Sequence, residues 1–261
     1  MNHVKEKLHN GIPVIGTWNT LNCPNVTRLI SLSGLDFQII DFEHGVFDFL
    51  QLSSHVQSAL TANSSHSCLV RIPSCEQWMM LQALDQNSSG IVIPHFESPA
   101  DLDILNKGLF YPPKGRRSFT PFSISADFGM QNSQNYASLK NQDTLSVVII
   151  ESLVGLESLP EILESSIGVI DVVYFGAYDL AGDMGYVGNP LHPEVVSRIT
   201  SAIQLVKSSG VYVGGFVPKS PNEVQDLLEM GISFITYEVD ANLFRSAYSA
   251  VASSFYSLIS K

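Results

Sequence analysis

Several ionisable residues stand where apolar runs of this sequence end. The run "FQIIDFE" (37–43) contains Asp41 and Glu43 near its end and is followed directly by His44. Buried strands are normally apolar throughout, so a polar end marks the point where a strand leaves the core. Other apolar runs end on, or lead into, further polar residues: Arg71, His95, Glu151, Asp179, Glu238 and Asp240.

Two of these carboxylates, Glu151 and Asp179, would supply the hard oxygen ligands that Mg²⁺ and Mn²⁺ prefer. No clear histidine triad or cysteine cluster accompanies them, which argues against structural zinc. Two protein ligands would leave positions for water and for a bidentate substrate such as a 2-oxo acid. A metal ion there would polarise the substrate carbonyl. Arg71 would stabilise an enolate oxygen, and His44 would move protons near neutral pH.

The alternative for each residue is a side chain that only satisfies neighbouring loops. For His95 we expect this structural role rather than catalysis. Asp41 and Glu43 are expected to position the loop that follows them, and direct contact of either with metal or substrate is the alternative. Unpaired buried charges are costly, so a set of charged residues on successive strands argues for a shared site.

The elements that would position these residues repeat along the chain. Eight short apolar runs are separated by amphipathic helical patterns, at 14–19, 37–43, 67–73, 90–96, 145–152, 169–176, 211–217 and 233–239. Alternating strands and helices predict a parallel α/β fold, and eight such units in one domain (1–261) predict a (β/α)₈ TIM barrel. A doubly wound sheet is the alternative, although no G-x-G-x-x-G follows the first strand. Active sites of barrels lie at the carboxyl ends of the strands.

Two further features follow from this division into elements. Four glycines are predicted to end helices in the left-handed conformation: Gly34, Gly90, Gly210 and Gly231. Residues 111–143 are predicted to form an ordered functional loop, because they begin with Pro-Pro and contain several aromatic residues. We also expect a C-terminal helix that takes part in oligomer contacts.

Composition excludes several classes of partner. The formal net charge of −11 disfavours nucleic acid and anionic membranes. Three cysteines are too few for a disulfide framework, and no apolar run is long enough to span a bilayer. The N-terminal segment is polar and has no signal-peptide core. We therefore expect a cytoplasmic protein that acts on a small molecule.

Several long segments, in order along nearly the whole chain, resemble the HpcH/HpaI aldolase family, which are metal-dependent pyruvate aldolases of the phosphoenolpyruvate/pyruvate barrel superfamily. The segments are "IIDFEH", "VRIP", "LQALDQNSSGIVIP", "YPPKGRRS", "IIESLVGLESL" and "FGAYDLAGDMGYVGNPLHPEV". The resemblance implies a reversible aldol reaction that cleaves a 4-hydroxy-2-oxo acid to pyruvate and an aldehyde.

The resemblance also implies a role for each matching residue. His44 would be the catalytic base, and Asp85 of the same or a neighbouring chain would raise its basicity. Arg71 would stabilise the transition state, and Glu151 and Asp179 would bind a divalent cation, Mg²⁺ or Mn²⁺, with Co²⁺ as a further candidate.

The same resemblance implies that the backbone of Gly176, Ala177 and Tyr178 holds the pyruvate carboxylate. It further implies a homo-oligomer, commonly a hexamer, with active sites near subunit contacts. The sequence departs from the family pattern at Ile149, where a substrate-contacting glutamine is usual. Ala177 replaces a usual proline, and Asn87-Ser88 replaces a common Gly-Ala pair.

Three other functions remain as alternatives. A citrate-lyase-β-like enzyme acting on acyl-CoA would need a basic patch for the CoA phosphates, and Lys114, Arg116 and Arg117 are clustered in sequence. A Schiff-base aldolase would need a lysine in the pocket, for which Lys219, just past a predicted strand, is the candidate. The third alternative is a catalytically silent barrel that acts as a binding or scaffold protein.

Overall fold

The chain folds into a closed barrel of eight parallel strands, paired in sequence order from β1 to β8 with β8 returning to β1. The structure is a computed structural model that describes residues 2–131, 133–217 and 223–259. The strands are β1 (Val14–Asn19), β2 (Phe37–Asp41), β3 (Ser67–Arg71), β4 (Gly90–Ile93), β5 (Leu145–Ile150), β6 (Val172–Phe175), β7 (Tyr212–Val217) and β8 (Phe234–Val239). The predicted (β/α)₈ fold is confirmed.

Helices surround this barrel. Their bounds are α1 (His3–His9), α2 (Pro24–Leu32), α3 (Phe49–Ala62), α4 (Gln77–Asp85), α5 (Pro99–Leu109), α6 (Ser133–Asp143), α7 (Leu153–Ser165), α8 (Ala177–Asp183), α9 (Pro193–Ser209), α10 (Glu223–Met230) and α11 (Asp240–Ile259). Within the described ranges, no helix is both long and apolar enough to cross a bilayer.

Apolar side chains form two main layers. One fills the barrel interior and includes Phe37, Ile149 and Phe234. The larger layer lies between the strands and the surrounding helices, which explains why the strand sequences are apolar on both faces. Helix α1 closes the amino-terminal end of the barrel, where Val4 and Leu8 are buried against the interior layer.

Most strands are shorter than their apolar runs. Strand β2 ends at Asp41 rather than residue 43, and β4 ends at Ile93 rather than residue 96. The polar residues therefore lie at the last paired position of a strand, as Asp41 and Arg71 do, or in the turn beyond it, as Glu43 and His95 do. All of them are at the carboxyl-terminal mouth of the barrel, and those in the turns are held by side-chain contacts rather than by strand pairing.

Three of the four predicted left-handed glycines have that conformation. Gly34, Gly210 and Gly231 have φ values of 89°, 80° and 88°. The prediction for Gly90 is wrong, because this residue is the first of β4 and the left-handed turn is made earlier by Asn87 at φ 69°. Asparagine tolerates this conformation because its side chain hydrogen-bonds locally.

Residues 111–143 are not one loop. The segment contains a 3-10 helix over Ile124–Gly129 and helix α6. Tyr111, Phe119 and Tyr136 pack their rings against one another, with centroids 5.6–6.0 Å apart. This aromatic cluster gives the segment a small core of its own.

Candidate active site

Arg71 and Asp41 form a buried ion pair at the mouth of the barrel. They are cross-strand neighbours at the ends of β3 and β2. Arg71 Nε donates to Asp41 Oδ1 at 2.8 Å and Nη2 donates to Oδ2 at 2.6 Å, and the guanidinium lies 4.4 Å above the Trp18 ring. Burial works against the charge of Arg71, but Asp41, Glu43 and Glu151 raise its pKa overall. Arg71 is therefore a fixed positive charge.

Asp41 also shapes the turn that carries His44. Its Oδ1 accepts hydrogen bonds from the backbone N–H groups of Glu43 and His44, at 3.0 and 3.2 Å. The N–H of Gly45 donates to the Asp41 carbonyl at 3.0 Å, so the chain turns tightly here. The His44 side chain is exposed at the mouth. The predicted positioning role of Asp41 is thus visible in its contacts.

His95 joins two carboxylates across the mouth. Its Nε2 lies 2.9 Å from Glu43 Oε1, and its Nδ1 lies 3.2 Å from Glu151 Oε1. Its backbone N–H donates to the same Glu151 oxygen at 2.7 Å. The other Glu43 oxygen is 2.9 Å from Arg71 Nη1, an ion-pair contact without hydrogen-bond geometry. One chain of charged contacts therefore connects the ends of β2, β3, β4 and β5.

Glu151 lies at one end of this series of contacts and is buried, with 5% of its surface exposed. Burial raises the pKa of the Glu151 carboxyl, the contacts with His95 oppose that rise, and the nearby charges of Glu43 and Asp179 add to it. Gly176 lies directly against it. A Cβ atom at residue 176 would be 2.7 Å from Glu151 Cβ and 2.8 Å from Oε2, so a side chain there would displace the carboxylate.

Asp179 lies in the first turn of α8, and its side chain is exposed. Gly176 is the N-cap of this helix, and the first N–H groups of an α-helix have no partner within the helix. Ala177 and Tyr178 thus offer backbone donors on the same side of the mouth as Asp179. The charge of Glu151 acts on Arg71, and the charge of Asp179 acts on Glu151.

A divalent cation fits these residues on electrostatic grounds. Asp41, Glu43, Glu151 and Asp179 bring four carboxyl groups to this end of the barrel, against the one guanidinium of Arg71. Among the described residues, no three His, Cys, Asp or Glu side chains converge as a metal cluster. An ion at Glu151 and Asp179 would thus have two protein ligands, and water and substrate would complete its coordination.

Ile149, which stands where a substrate-contacting glutamine was expected, lies directly beneath Glu151 and Gly176. Ile149 is 1% exposed in the barrel interior, and its Cγ2 would be 3.1 Å from a Cβ atom at residue 176. The bottom of the candidate site is therefore apolar at residue 149, where a glutamine amide is usual.

Asp85 does not meet His44 within one chain. It is the last residue of α4, just before the turn into β4, whereas His44 follows the end of β2. These positions are at opposite ends of the barrel. Asp85 instead accepts a hydrogen bond from Arg117 Nη2 at 2.7 Å, and the Arg117 guanidinium lies 4.5 Å from the Tyr111 ring. Only a neighbouring copy could bring Asp85 to His44.

The remaining predicted residues have other partners. Asp240 accepts from the N–H groups of Thr20 and Leu21 at 2.9 and 3.1 Å, and Glu238 accepts from Asn242 Nδ2 at 2.7 Å. These contacts hold the end of β8. Lys219, the candidate Schiff-base lysine, lies outside the described residues.

The contacts of His95 and Glu43 with other site residues were not predicted from the sequence. His95 was expected to be a residue of the mouth, and it is, but it also contacts the candidate metal ligand Glu151 directly. A histidine placed just after a strand-ending proline, with a glutamate beyond the end of β2, is the signal that could have indicated this contact.

Known proteins resemble this chain over most of its length. The family model described as "HpcH/HpaI aldolase/citrate lyase" matches residues 14–247. A hydroxypyruvate/pyruvate aldolase of Roseobacter denitrificans is 26% identical over 98% of this chain and 97% of its own length. A 4-hydroxy-2-oxovalerate aldolase of Rhodococcus jostii is 28% identical, with 98% and 96% coverage.

Solved structures give the same result. A crystal structure of an HpcH/HpaI aldolase/citrate lyase family protein from Burkholderia cenocepacia superposes with a TM-score of 0.89 at 26% identity, covering 97% of this chain and 99% of the other. The similarity therefore covers the whole barrel, including every strand end that carries a candidate site residue.

Proposed function

Because this chain belongs to the HpcH/HpaI aldolase/citrate lyase family, we propose that it is a divalent-metal-dependent aldolase acting on a 4-hydroxy-2-oxo acid. The products of cleavage would be pyruvate and an aldehyde, and the reaction would be reversible. The observation that carries the proposal is the buried Glu151 carboxylate, next to Asp179 and connected to Arg71 through His95 and Glu43.

Glu151 and Asp179 would hold the cation, which we propose to be Mg²⁺ or Mn²⁺, with Co²⁺ as a further candidate. When bound, it would act as a Lewis acid on the 2-oxo carbonyl. The excess of carboxyl groups over guanidinium groups at the mouth favours a doubly charged ion.

Arg71 would stabilise the enolate oxygen that develops as the bond breaks. Its two hydrogen bonds to Asp41 fix the plane of the guanidinium, so little reorganisation is needed during the reaction. The substrate carboxylate would lie against the backbone around Gly176, Ala177 and Tyr178. The Gly176 N–H already donates to the Ile150 carbonyl at 3.1 Å, so Ala177 and Tyr178 would supply the N–H donors.

His44 would take the proton from the C4 hydroxyl. The C3–C4 bond then breaks, its electron pair forms the pyruvate enolate, and C4 becomes the aldehyde carbon. Protonation of the enolate at C3 gives pyruvate. The exposed position of His44 beyond β2 leaves its ring accessible to substrate.

Asp85 would support His44 from a neighbouring copy, so we propose a homo-oligomer, with a hexamer as the family suggests. Helix α11 is the candidate contact surface. From Leu243 onward its described side chains are exposed, and eight of them are large and apolar: Leu243, Phe244, Tyr248, Val251, Phe255, Tyr256, Leu258 and Ile259. Exposed apolar patches of this kind mark interaction sites.

The contacts of the basic cluster argue against an acyl-CoA lyase. Arg117 is buried and paired with Asp85, and Lys114 Nζ lies 3.3 Å from the centre of the Phe110 ring. Of the three clustered cations, this leaves Arg116 fully available for a CoA phosphate. A CoA-agarose pull-down that retains the protein would favour the acyl-CoA alternative.

The proposed reaction is tested by pyruvate release from a panel of 4-hydroxy-2-oxo acids, coupled to lactate dehydrogenase, with and without Mg²⁺, Mn²⁺ and Co²⁺. We expect at least one substrate to be cleaved in a metal-stimulated reaction. Absence of metal-stimulated turnover across the panel would favour a catalytically silent barrel instead.

A further inference from the structure

His95 has a left-handed backbone conformation, which is uncommon for a residue other than glycine. Its φ is 50°, in a region where a Cβ atom crowds the backbone. Such strain persists only where surrounding contacts compensate for it. The next residue, Phe96, already returns to regular pairing, since its N–H donates to the Ile149 carbonyl at 3.1 Å. The strain is therefore confined to one residue.

The left-handed turn directs the His95 N–H at one oxygen of Glu151. The N–H to Oε1 distance, measured from nitrogen, is 2.7 Å, and the His95 ring nitrogen Nδ1 is 3.2 Å from the same oxygen. The ring also reaches Glu43 through Nε2 at 2.9 Å, so both the backbone and the side chain of His95 are tied to carboxylates.

The two oxygens of Glu151 consequently have different surroundings. Oε1 is held by His95, whereas Oε2 faces Gly176, where the missing Cβ atom leaves space. Residue 176 is the N-cap of the helix whose first turn carries Asp179. Oε2 is therefore the oxygen on the side of the second candidate ligand.

We propose that His95 is a positioning residue for the metal site, acting mainly through its left-handed backbone turn. The turn fixes Oε1 of Glu151 so that Oε2 alone is presented to the cation. This inference rests on the proposed function, since it requires that Glu151 binds a metal. It assigns to His95 a role in metal affinity rather than in proton transfer.

The test separates the effect of the backbone turn on metal affinity from the effect of the imidazole ring. His95→Gly removes the ring but adopts a positive φ without strain, and His95→Asn tolerates that conformation with a short polar side chain. His95→Val carries a β-branched residue that strongly resists it. Outer-shell partners of metal ligands typically change affinity about 10–100-fold when they are lost.

Binding of Mn²⁺ to each purified variant is measured by electron paramagnetic resonance titration of free Mn²⁺. We expect the Kd of the Gly and Asn variants to stay within about threefold of the parent value, and that of the Val variant to rise about 10–100-fold. Asp127→Val is the matched control, because Asp127 also has a positive φ, 48°, in the exposed 3-10 segment. Its Mn²⁺ Kd should equal that of the parent.

Thermal unfolding of each variant shows whether the fold is retained, and His95→Ala, which strains the turn less than Val, serves if the Val variant does not fold. Parent-like Mn²⁺ binding by the Val and Ala variants would overturn the inference. Equal weakening in the Gly and Val variants would also overturn it, because the ring rather than the turn would then be responsible. If the parent binds no Mn²⁺, the proposed function itself fails.

Discussion

Gly176 and Glu151 are packed so closely that no side chain can be added at residue 176 without moving the carboxylate. A Cβ atom there would lie 2.7 Å from Glu151 Cβ and 2.8 Å from Oε2. The strand end of β6 and the strand end of β5 are thereby fitted to each other at the point where we place the cation.

Gly176→Ala should therefore weaken Mn²⁺ binding and lower kcat/KM by about 10²-fold, because a displacement of the order of 1 Å at a catalytic centre costs that much. The control is Gly182→Ala in the same helix. No atom lies within 4 Å of a Cβ atom at residue 182, and alanine is the better helix former. Isothermal titration with Mn²⁺ and the pyruvate assay check both variants. Equal behaviour of the two variants would contradict the fit described here.

Removing the imidazole of His44 should reduce cleavage while leaving metal binding intact. The loss of a general base typically costs about 10²–10⁴-fold in rate. His44→Ala should therefore lose pyruvate release by that order, with an unchanged Mn²⁺ Kd. His9→Ala, at an exposed position in α1, is the control for loss of a histidine. Cleavage of the best substrate by His44→Ala at the parental rate would make this histidine structural.

Ile149→Gln should lower KM for a polar 4-hydroxy-2-oxo acid. The amide would stand beneath Gly176 and could donate the hydrogen bond that isoleucine lacks. Ile149→Leu keeps the floor apolar and should leave the substrate preference unchanged. Steady-state kinetics over the substrate panel measures KM and kcat/KM for both variants. If the glutamine variant has an equal or lower kcat/KM for every substrate, the analogy with the family glutamine fails at this position.

Stability should decrease on the acid side of neutrality because of two buried histidines. Burial lowers the pKa of His55 and of His66, although the contact of His66 with the Leu35 carbonyl and the charge of Asp36 partly oppose this. As the pH falls through about 6.5, these histidines become protonated in the unfolded chain but stay neutral in the folded protein, so unfolding is favoured. The stability that the two neutral histidines contribute is lost as the pH falls from their pKa in the unfolded chain towards their lower pKa in the folded protein.

Thermal unfolding between pH 7.5 and 5.5 measures this effect. Tm should fall as the pH falls, and His55→Gln should reduce the dependence, since glutamine does not titrate. His55 Nδ1 lies 2.7 Å from Thr27 Oγ1 and Nε2 lies 3.1 Å from Asn22 Oδ1, so the glutamine variant is expected to be less stable at pH 7.5. The same pH slope in parent and variant would show that His55 is not the titrating group.

The fold was predictable because its strands are continuous apolar runs separated by amphipathic helices. The run at 14–19 coincides with β1, and the polar residues after β2 and β3 lie at the mouth, as expected from barrel geometry. Strand ends were placed too late where apolar residues such as Phe42 and Phe96, which pack in the layer between strands and helices, follow the last strand residue.

Contacts that depend on the tertiary arrangement could not be predicted. The sequence gives no period or propensity that places His95 in a left-handed turn between Glu43 and Glu151, because both partners are distant in sequence. The contact of Asp85 with Arg117 could not be predicted either. Arg117 lies 32 residues away, and β4 and α5 separate it in sequence from Asp85, so their contact depends on the tertiary fold.

The central claim is that carbon–carbon cleavage depends on a cation held by Glu151 and Asp179. The most direct measurement is pyruvate release from the best panel substrate by the parent protein and by Glu151→Gln, each treated with EDTA and then supplied with excess Mn²⁺. We expect EDTA to abolish release by the parent and Mn²⁺ to restore it, whereas Glu151→Gln should remain at least about 10²-fold slower, since a Lewis-acid ion contributes several kcal/mol. Parental rates after EDTA treatment, or in the Glu151→Gln variant, would contradict the claim.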